Sequence, residues 1–294
     1  MNKQESVHKI SIRFFNDNEV RAVWNDKKNA WLFSAVDVCG SIAKSRQPRK
    51  YWNDFKKKLI SENAQLSEKI GQLKLAATDG KFYLTDVIDS EMVVYIAKKF
   101  PKGKGADFLD WFLYSDNSID GQSKKKAYDL FESGLLDEID AGTIKSLKQI
   151  HAYIFGGLYD FAGQIRAINI AKGGFAFTPY QYFEISLKVI ENMPESTFDE
   201  IVSKYVEMNV AHPFLEGNGR SARIWLDLML KRSLKICVDW SQIDKNAYLN
   251  AMKESVTDAS EIRTLIFGAL TEKIHDRETF MKGIDYSYYY EQED

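Results

Sequence analysis

His212-Pro-Phe-Leu-Glu-Gly-Asn-Gly-Arg-Ser-Ala-Arg223 is the stretch around which the rest of the chain is arranged. Ahead of it, Phe198, Ile201, Val202, Tyr205, Val206 and Val210 recur at three and four residues. That period predicts a helix, and Pro213 disfavours helical geometry at His212, so the helix ends at the histidine. Behind it, Ile224, Leu228 and Leu230 stand among Arg220, Arg223, Asp227, Lys231 and Arg232 and predict a second helix opening near Asn218 or Gly219. The loop between them aims glycines at a helix N-terminus. Unpaired N–H groups and the positive end of the helix dipole attract an anion there, and Gly217 and Gly219 let a phosphate come close to the backbone. Arg220 and Arg223 add fixed cationic forks for phosphate oxygens. Glu216 adds a carboxylate suited to Mg²⁺ bridging phosphates, and His212 adds a proton acceptor that works near neutrality. Cradle, metal carboxylate and base within twelve residues point to phosphoryl or nucleotidyl transfer.

The string resembles the Fic family motif, HPFx[D/E]GNGRxxR, at His212, Pro213, Phe214, Glu216, Gly217, Asn218, Gly219, Arg220 and Arg223. Fic proteins typically move AMP from ATP onto a hydroxyl of a target protein. The resemblance implies His212 as the base for that hydroxyl and Glu216 as the Mg²⁺ ligand. It implies that Gly217, Asn218, Gly219 and Arg220 hold the α- and β-phosphates, that Arg223 holds the γ-phosphate, and that Phe214 packs beneath the loop. In-line attack at the α-phosphorus would then expel pyrophosphate, with positioning and charge stabilisation supplying most of the rate. Doc-type relatives, which transfer phosphate instead, carry lysine where this chain has Gly219; the glycine favours nucleotidyl transfer.

At 294 residues, 45% hydrophobic and 28% charged, the chain has the composition of a soluble globular protein with room for two domains. Cys39 and Cys237 are far apart and form no CxxC pair, which argues against a disulfide framework or zinc site and fits a reducing, cytoplasmic setting. No signal-peptide run opens the sequence and no 18-residue apolar stretch occurs, so no membrane partner is expected. The net charge of −2 hides an asymmetry: the first 115 residues hold 20 Lys+Arg against 14 Asp+Glu. A basic first part is compatible with nucleic acid.

That first part reads as α+β. Ile10-Ser-Ile-Arg-Phe-Phe15, Glu19-Val-Arg-Ala-Val-Trp24 and Ala30-Trp-Leu-Phe33, separated by Asn/Asp turns, predict a three-stranded meander, and Ser34-Ala-Val-Asp37 predicts a helix cap. Helical patterns follow through Phe55-Lys-Lys-Lys-Leu-Ile60 and after Thr85-Asp86. Trp31-Leu-Phe-Ser-Ala-Val-Asp-Val38, Arg49-Lys-Tyr-Trp52, Ile70-Gly-Gln-Leu-Lys74 and Phe82-Tyr-Leu-Thr-Asp86 resemble the BRO-N family of phage and viral antirepressors. That resemblance covers roughly residues 8–115 of a domain read as 1–115 and implies DNA binding, with Lys44, Arg46, Arg49 and Lys50 as phosphate contacts. Tyr51 and Trp52 fit either base stacking or a core.

Residues 116–126 are polar and glycine-containing between apolar-periodic regions and read as a linker. From 127 to 294 the pattern is that of an all-α bundle, including Thr143 to Phe155 with apolar positions at three and four. His151 within that helix receives no role. After Tyr159-Asp-Phe-Ala-Gly-Gln-Ile-Arg166, residues 167–177 read as two short strands around Lys172-Gly-Gly. The Fic resemblance makes this hairpin the flap that aligns a target segment by strand addition, with Ile168, Asn169, Ile170 and Ala171 as the docking residues.

The end of the chain, Ser287-Tyr-Tyr-Tyr-Glu-Gln-Glu-Asp294, is similar to the family's inhibitory helix, [S/T]xxxE[G/N], at Ser287 and Glu291, while Gln292 departs from it. A carboxylate on Arg223 would occupy the fork that a γ-phosphate needs. Tyr288, Tyr289 and Tyr290 offer hydroxyls for self-modification. The implied activity is Mg²⁺-dependent transfer of AMP from ATP to a protein hydroxyl, with a type II topoisomerase as the target that analogy suggests. Another nucleotide donor, a DNA-binding regulator with a silenced or ligand-sensing Fic half, and a homo-oligomer all stay open.

Overall fold

The computed structural model describes residues 10–25, 27–28, 30–77, 81–101, 103–172 and 174–292. Two compact units divide between Asn117 and Ser118. The first holds strands β1 (Ile10–Phe15), β2 (Asn18–Asn25), β3 (Ala30–Ser34), β4 (Gly71–Ala76) and β5 (Phe82–Ile88), with helices α1 (Ala35–Ala43), α2 (Pro48–Glu62), α3 (Ser90–Lys98) and α4 (Lys104–Tyr114). Its antiparallel sheet runs β1-β2-β3-β5-β4. Asn16 and Asp17 turn the first hairpin at φ 46° and 60°, a left-handed geometry that Asn and Asp tolerate. Ser34 caps α1, its Oγ accepting from the Asp37 N–H at 3.3 Å. Trp52 belongs to the core, 1% exposed, and its indole N–H donates to Asp86 at 2.7 Å, so it is not a stacking platform. The helix expected after Asp86 begins only at Ser90, capped by Asp89.

The second unit holds helices α5 (Ile119–Glu132), α6 (Leu135–Glu138), α7 (Ile144–Phe155), α8 (Phe183–Glu191), α9 (Phe198–Ala211), α10 (Asn218–Leu234), α11 (Lys245–Glu254), α12 (Ser260–Gly268) and α13 (Arg277–Tyr289). Strands β6 (Ala171–Lys172) and β7 (Phe175–Ala176) pair antiparallel, as do β8 (Cys237–Val238) and β9 (Leu270–Thr271). The β8–β9 pair and the 3₁₀ turn at Trp240–Gln242 lie within the stretch that the sequence predicted as an all-α bundle.

Residues 116–126 are not a linker. Ser118 caps α5 through its Oγ at 3.0 Å from the Gly121 N–H, and Ser123 is fully buried. The polar residues there misled because several have folded partners: Asp120 meets Arg220, Lys124 meets Asp285 at 3.2 Å, and Lys126 donates to the Gly156 carbonyl.

Three helices set the site. A capping box of Thr197 and Glu200 starts α9, which packs on α10. Trp225 of α10 is fully buried and its indole N–H reaches the Thr143 carbonyl and Ser146 Oγ, both at 3.1 Å, which fixes α10 to the start of α7. Truncating such a side chain costs about 3–5 kcal/mol. Among the described residues no helix is long and apolar enough to cross a membrane.

Candidate active site

Helix α9 ends on His212 itself, whose φ of 50° and ψ of 64° are left-handed. Its N–H still donates to the Met208 carbonyl at 3.0 Å. A non-glycine residue held there stores strain that its surroundings must maintain. The imidazole stacks on Phe177, with centroids 3.7 Å apart. Nδ1 sits 3.2 Å from the Asn209 carbonyl, which can only accept, so Nδ1 carries the proton and Nε2 keeps its lone pair. Burial, the largest influence, pushes the pKa of His212 down to about 4. The ring is therefore neutral at pH 7, as a base must be.

The loop that follows is closed by Asn218. Its Oδ1 accepts from the Phe214 N–H at 2.9 Å and its Nδ2 donates to the Phe214 carbonyl at 2.8 Å. The amide oxygen and one of the two amide N–H donors thus serve the loop. Phe214 is fully buried and stacks on His151 at 3.8 Å, which is the packing expected of it. His151 accepts from the Gly163 N–H at Nδ1 (2.8 Å), so Nε2 is the donor to the Glu216 carbonyl at 2.9 Å. Burial lowers its pKa to about 4 as well. This histidine braces the loop from beneath. Its position on the apolar face with Leu147, Ile150 and Ile154 was the sequence signal for a buried role.

Gly217 forms the N-cap of α10 at φ 80°, and a Cβ there would lie 2.3 Å from Phe155 Cε2. No side chain caps α10, leaving its first N–H groups aimed at the loop's mouth. Arg220 is 3% exposed and lies between two carboxylates, Asp120 and Glu216, the latter at 2.8 Å. Its guanidinium also covers the ring of Phe155 at 5.0 Å. Glu216 Oε1 accepts from both Arg220 and the Gly217 N–H (2.9 Å). The Glu216 side chain is 48% exposed. Among the described residues no group of three or more His, Cys, Asp or Glu is placed to hold a metal ion by itself. One accessible carboxylate beside a phosphate cradle suits Mg²⁺, which takes few protein ligands and completes its shell with phosphates and water.

Arg223 is 2% exposed and bonded by Ser287 of α13, by Glu291 just past its end and, through Nη1, by the Tyr248 hydroxyl at 3.3 Å. Nε donates to Ser287 Oγ and Nη2 to the Ser287 carbonyl, both at 2.7 Å, and Nη2 donates to Glu291 Oε1 at 2.5 Å. The rings of Tyr248 and Tyr290 flank it at 5.5 and 5.4 Å. Burial works to raise the Glu291 pKa, but the charge and hydrogen bond of Arg223 outweigh it and hold the carboxyl below its usual range. A Cβ on Gly219 would come 2.3 Å from Glu291 Oε1, so the carboxylate needs glycine there. Gln292 is anchored through its carbonyl by Lys245 Nζ at 2.8 Å, which makes its side-chain identity unimportant to the docking. Tyr288 and Tyr290 are buried, and the Tyr290 hydroxyl bonds the Trp240 and Ile243 carbonyls; neither is presented for modification while α13 is docked.

The flap is shorter than the sequence suggested. Ala171 alone of the four predicted docking residues lies in a strand, paired with Ala176. Ile168 is 58% exposed, Asn169 Oδ1 accepts from the Tyr180 N–H at 2.8 Å, and the Ile170 carbonyl accepts from Phe177 at 3.3 Å. Gly173, at the turn, lies outside the described residues. In the first unit Lys44, Arg46, Arg49 and Lys50 are all exposed around the α1–α2 turn, with Arg49 over the Tyr83 ring at 5.0 Å.

The model of the Fic/DOC family matches residues 141–230. The probable protein adenylyltransferase y4lH of Sinorhizobium fredii is 30% identical over 136 residues, covering 40% of this chain and 70% of that protein. The chain belongs to the Fic/DOC family. Protein adenylyltransferase VbhT of Bartonella schoenbuchensis is 27% identical over 175 residues, 54% of this chain but only 35% of VbhT. This chain thus spans about a third of that relative. Among solved structures, BepC from Bartonella tribocorum with bound AMPPNP is 18% identical, covering 54% of this chain and 86% of that one with a TM-score of 0.45. The Fic match ends at residue 230. Asp120 and Glu291, the outer carboxylates on the two motif arginines, lie before and after the matched residues 141–230.

Proposed function

We propose that residues 118–293 transfer AMP from ATP to a hydroxyl of a target protein and are held inactive by Glu291. The observation that carries this reading is a neutral His212, with Nε2 free to accept a proton, beside the uncapped N-terminus of α10. In the reaction the target hydroxyl loses its proton to Nε2 as its oxygen bonds the α-phosphorus, and the bond to the bridging oxygen breaks to release pyrophosphate. The first turn of α10 and Arg220 hold the α- and β-phosphates, and Arg223 the γ-phosphate. Glu216 would hold Mg²⁺, which offsets phosphate charge. Glu291 and Ser287 fill the donors of Arg223 that the γ-phosphate requires, so ATP is misplaced until α13 shifts.

The target is a protein segment lined up by the flap, and purified type II topoisomerase is the first to try. Incorporation of label from α-³²P-ATP with Mg²⁺ into cell lysate tests the reading. Labelling should be low for the wild type, high for Glu291→Gly, and absent for Glu291→Gly with His212→Ala. Labelling that survives the second substitution would sink the assigned chemistry. Parallel assays with other labelled nucleotides test the donor.

For the first unit we infer a BRO-N-like contact with duplex DNA through Lys44, Arg46, Arg49 and Lys50. Four exposed cations around the start of α2 support it. Reversing two of them should flatten the salt dependence of binding to duplex DNA.

A further inference from the structure

Arg166 stands just ahead of the flap and is 4% exposed. A buried guanidinium ordinarily answers a carboxylate, but the bonds of this one all run to main-chain carbonyls. Nε donates to the His212 carbonyl at 2.8 Å, Nη1 to Ile168 at 2.5 Å, and Nη2 to Thr178 at 2.6 Å and Ala211 at 3.1 Å. The Arg166 N–H adds a bond to the Pro213 carbonyl at 2.9 Å, and the ring of Phe183 lies 4.1 Å from the guanidinium. These carbonyls come from two places. Ala211 and His212 end α9, where the last carbonyls lack helical partners and the dipole favours a cation. Ile168 and Thr178 are the two feet of the flap.

We propose that Arg166 is a positioning residue that ties the feet of the flap to His212 and leaves its strands free to adapt. A target strand seated on the flap then meets the Nε2 lone pair at a set distance. The left-handed conformation of His212 needs such a restraint, because Pro213 follows it and α9 no longer holds its carbonyl. The planar fork explains why the residue is arginine: its donors diverge in one plane toward both sites, and a single ammonium cannot reproduce that spread. This inference rests on the reading of His212 as the base.

The test compares Arg166→Ala and Arg166→Lys in the full chain carrying Glu291→Gly. ATP affinity should be unchanged, since Arg166 touches no part of the α10 cradle. Transfer per enzyme should fall about a hundredfold in Arg166→Ala, the effect of misplacing a reacting group by about 1 Å. Arg166→Lys should fall less, and added guanidinium ion should restore part of the alanine variant's rate. Besides burial and the Asn209 carbonyl, the charges acting on His212 are Glu291, which raises its pKa, and Arg166 and Lys172, which lower it. NMR titration of the His212 ring should therefore move to higher pH in Arg166→Ala. Undiminished transfer, or a loss that follows the loss of folded protein with no guanidinium rescue and an unmoved His212 titration, would overturn the proposal. If Glu291→Gly itself transfers nothing, the assigned activity fails, and the His212 titration with amide exchange in the flap still decides the role of Arg166.

Discussion

The motif loop and the flap face the same histidine and are built in opposite ways. In the loop, Asn218 bonds Phe214 twice, His151 holds the Glu216 carbonyl, and both arginines are buried among their acceptors. In the flap, two strands of two residues each pair, and Ile168 and Ala171 are exposed. Dense, satisfied polar contacts make the loop stiff, whereas a short hairpin with few buried contacts opens at low cost. The difference matches the partners proposed for them. A nucleoside triphosphate presents the same charged groups at every turnover, and a stiff cradle binds them without reorganising. A protein segment varies, and an edge that pairs through main-chain groups adapts to many sequences.

Replacing the base separates the two regions most sharply. His212→Ala in the released enzyme should lower transfer by about 10²–10⁴-fold while ATP still binds the cradle; equal losses in binding and transfer would mean that loop and base are not separable. The pH profile refines this point. With a folded pKa of about 4, His212 stays neutral far below the ordinary 6.5, so the acid limb of kcat/KM should lie near pH 4. A midpoint at 6.5 would show the ring to be solvated in the working enzyme. The same depression makes the fold lose stability as pH drops from 6.5 through 4, because the unfolded chain takes up that proton first.

Unlocking the loop comes next. Glu291→Gly removes a charge-assisted bond worth about 1.5–3 kcal/mol and should raise transfer about 10- to 100-fold. Ser287 and the two tyrosines keep Arg223 partly engaged. Changing the flap should act on the acceptor side alone: Ala171→Pro deletes a main-chain donor from β6 and should raise KM for the protein target about tenfold, with ATP affinity unmoved. A matching loss of ATP affinity would erase the proposed division of labour. The smallest effect is expected at Asp120→Asn. Its carboxylate is 55% exposed, and losing that ion pair with Arg220 should cost no more than about 1 kcal/mol by thermal unfolding.

Much of the loop was legible because its causes are local. Pro213 stops α9 at His212, Gly217 opens α10, and the motif places both arginines on one helix. The flap and the linker were less legible. A hairpin's length depends on which main-chain groups find partners, and strands of two residues leave almost no period to read. Residues 116–126 looked like linker because polarity marks exposed chain on average, yet Ser123 is buried and Asp120 serves the site. Gln292 departs from the inhibitory pattern in its side chain, and the sequence gives no sign that its carbonyl is what Lys245 bonds.

By itself, then, the sequence determined the helix boundaries around the loop and the family, because residue type and short spacing set those. Tertiary structure alone decided that His212 is neutral with its lone pair on Nε2, since burial and the Asn209 carbonyl come from the fold. It also decided which distant groups reach the motif. Asp120, His151, Arg166 and Glu291 lie between 46 and 100 residues from their partners Arg220, Glu216, His212 and Arg223, and His151 and Arg166 reach theirs through carbonyls, which leave no mark in the sequence that would announce a donor.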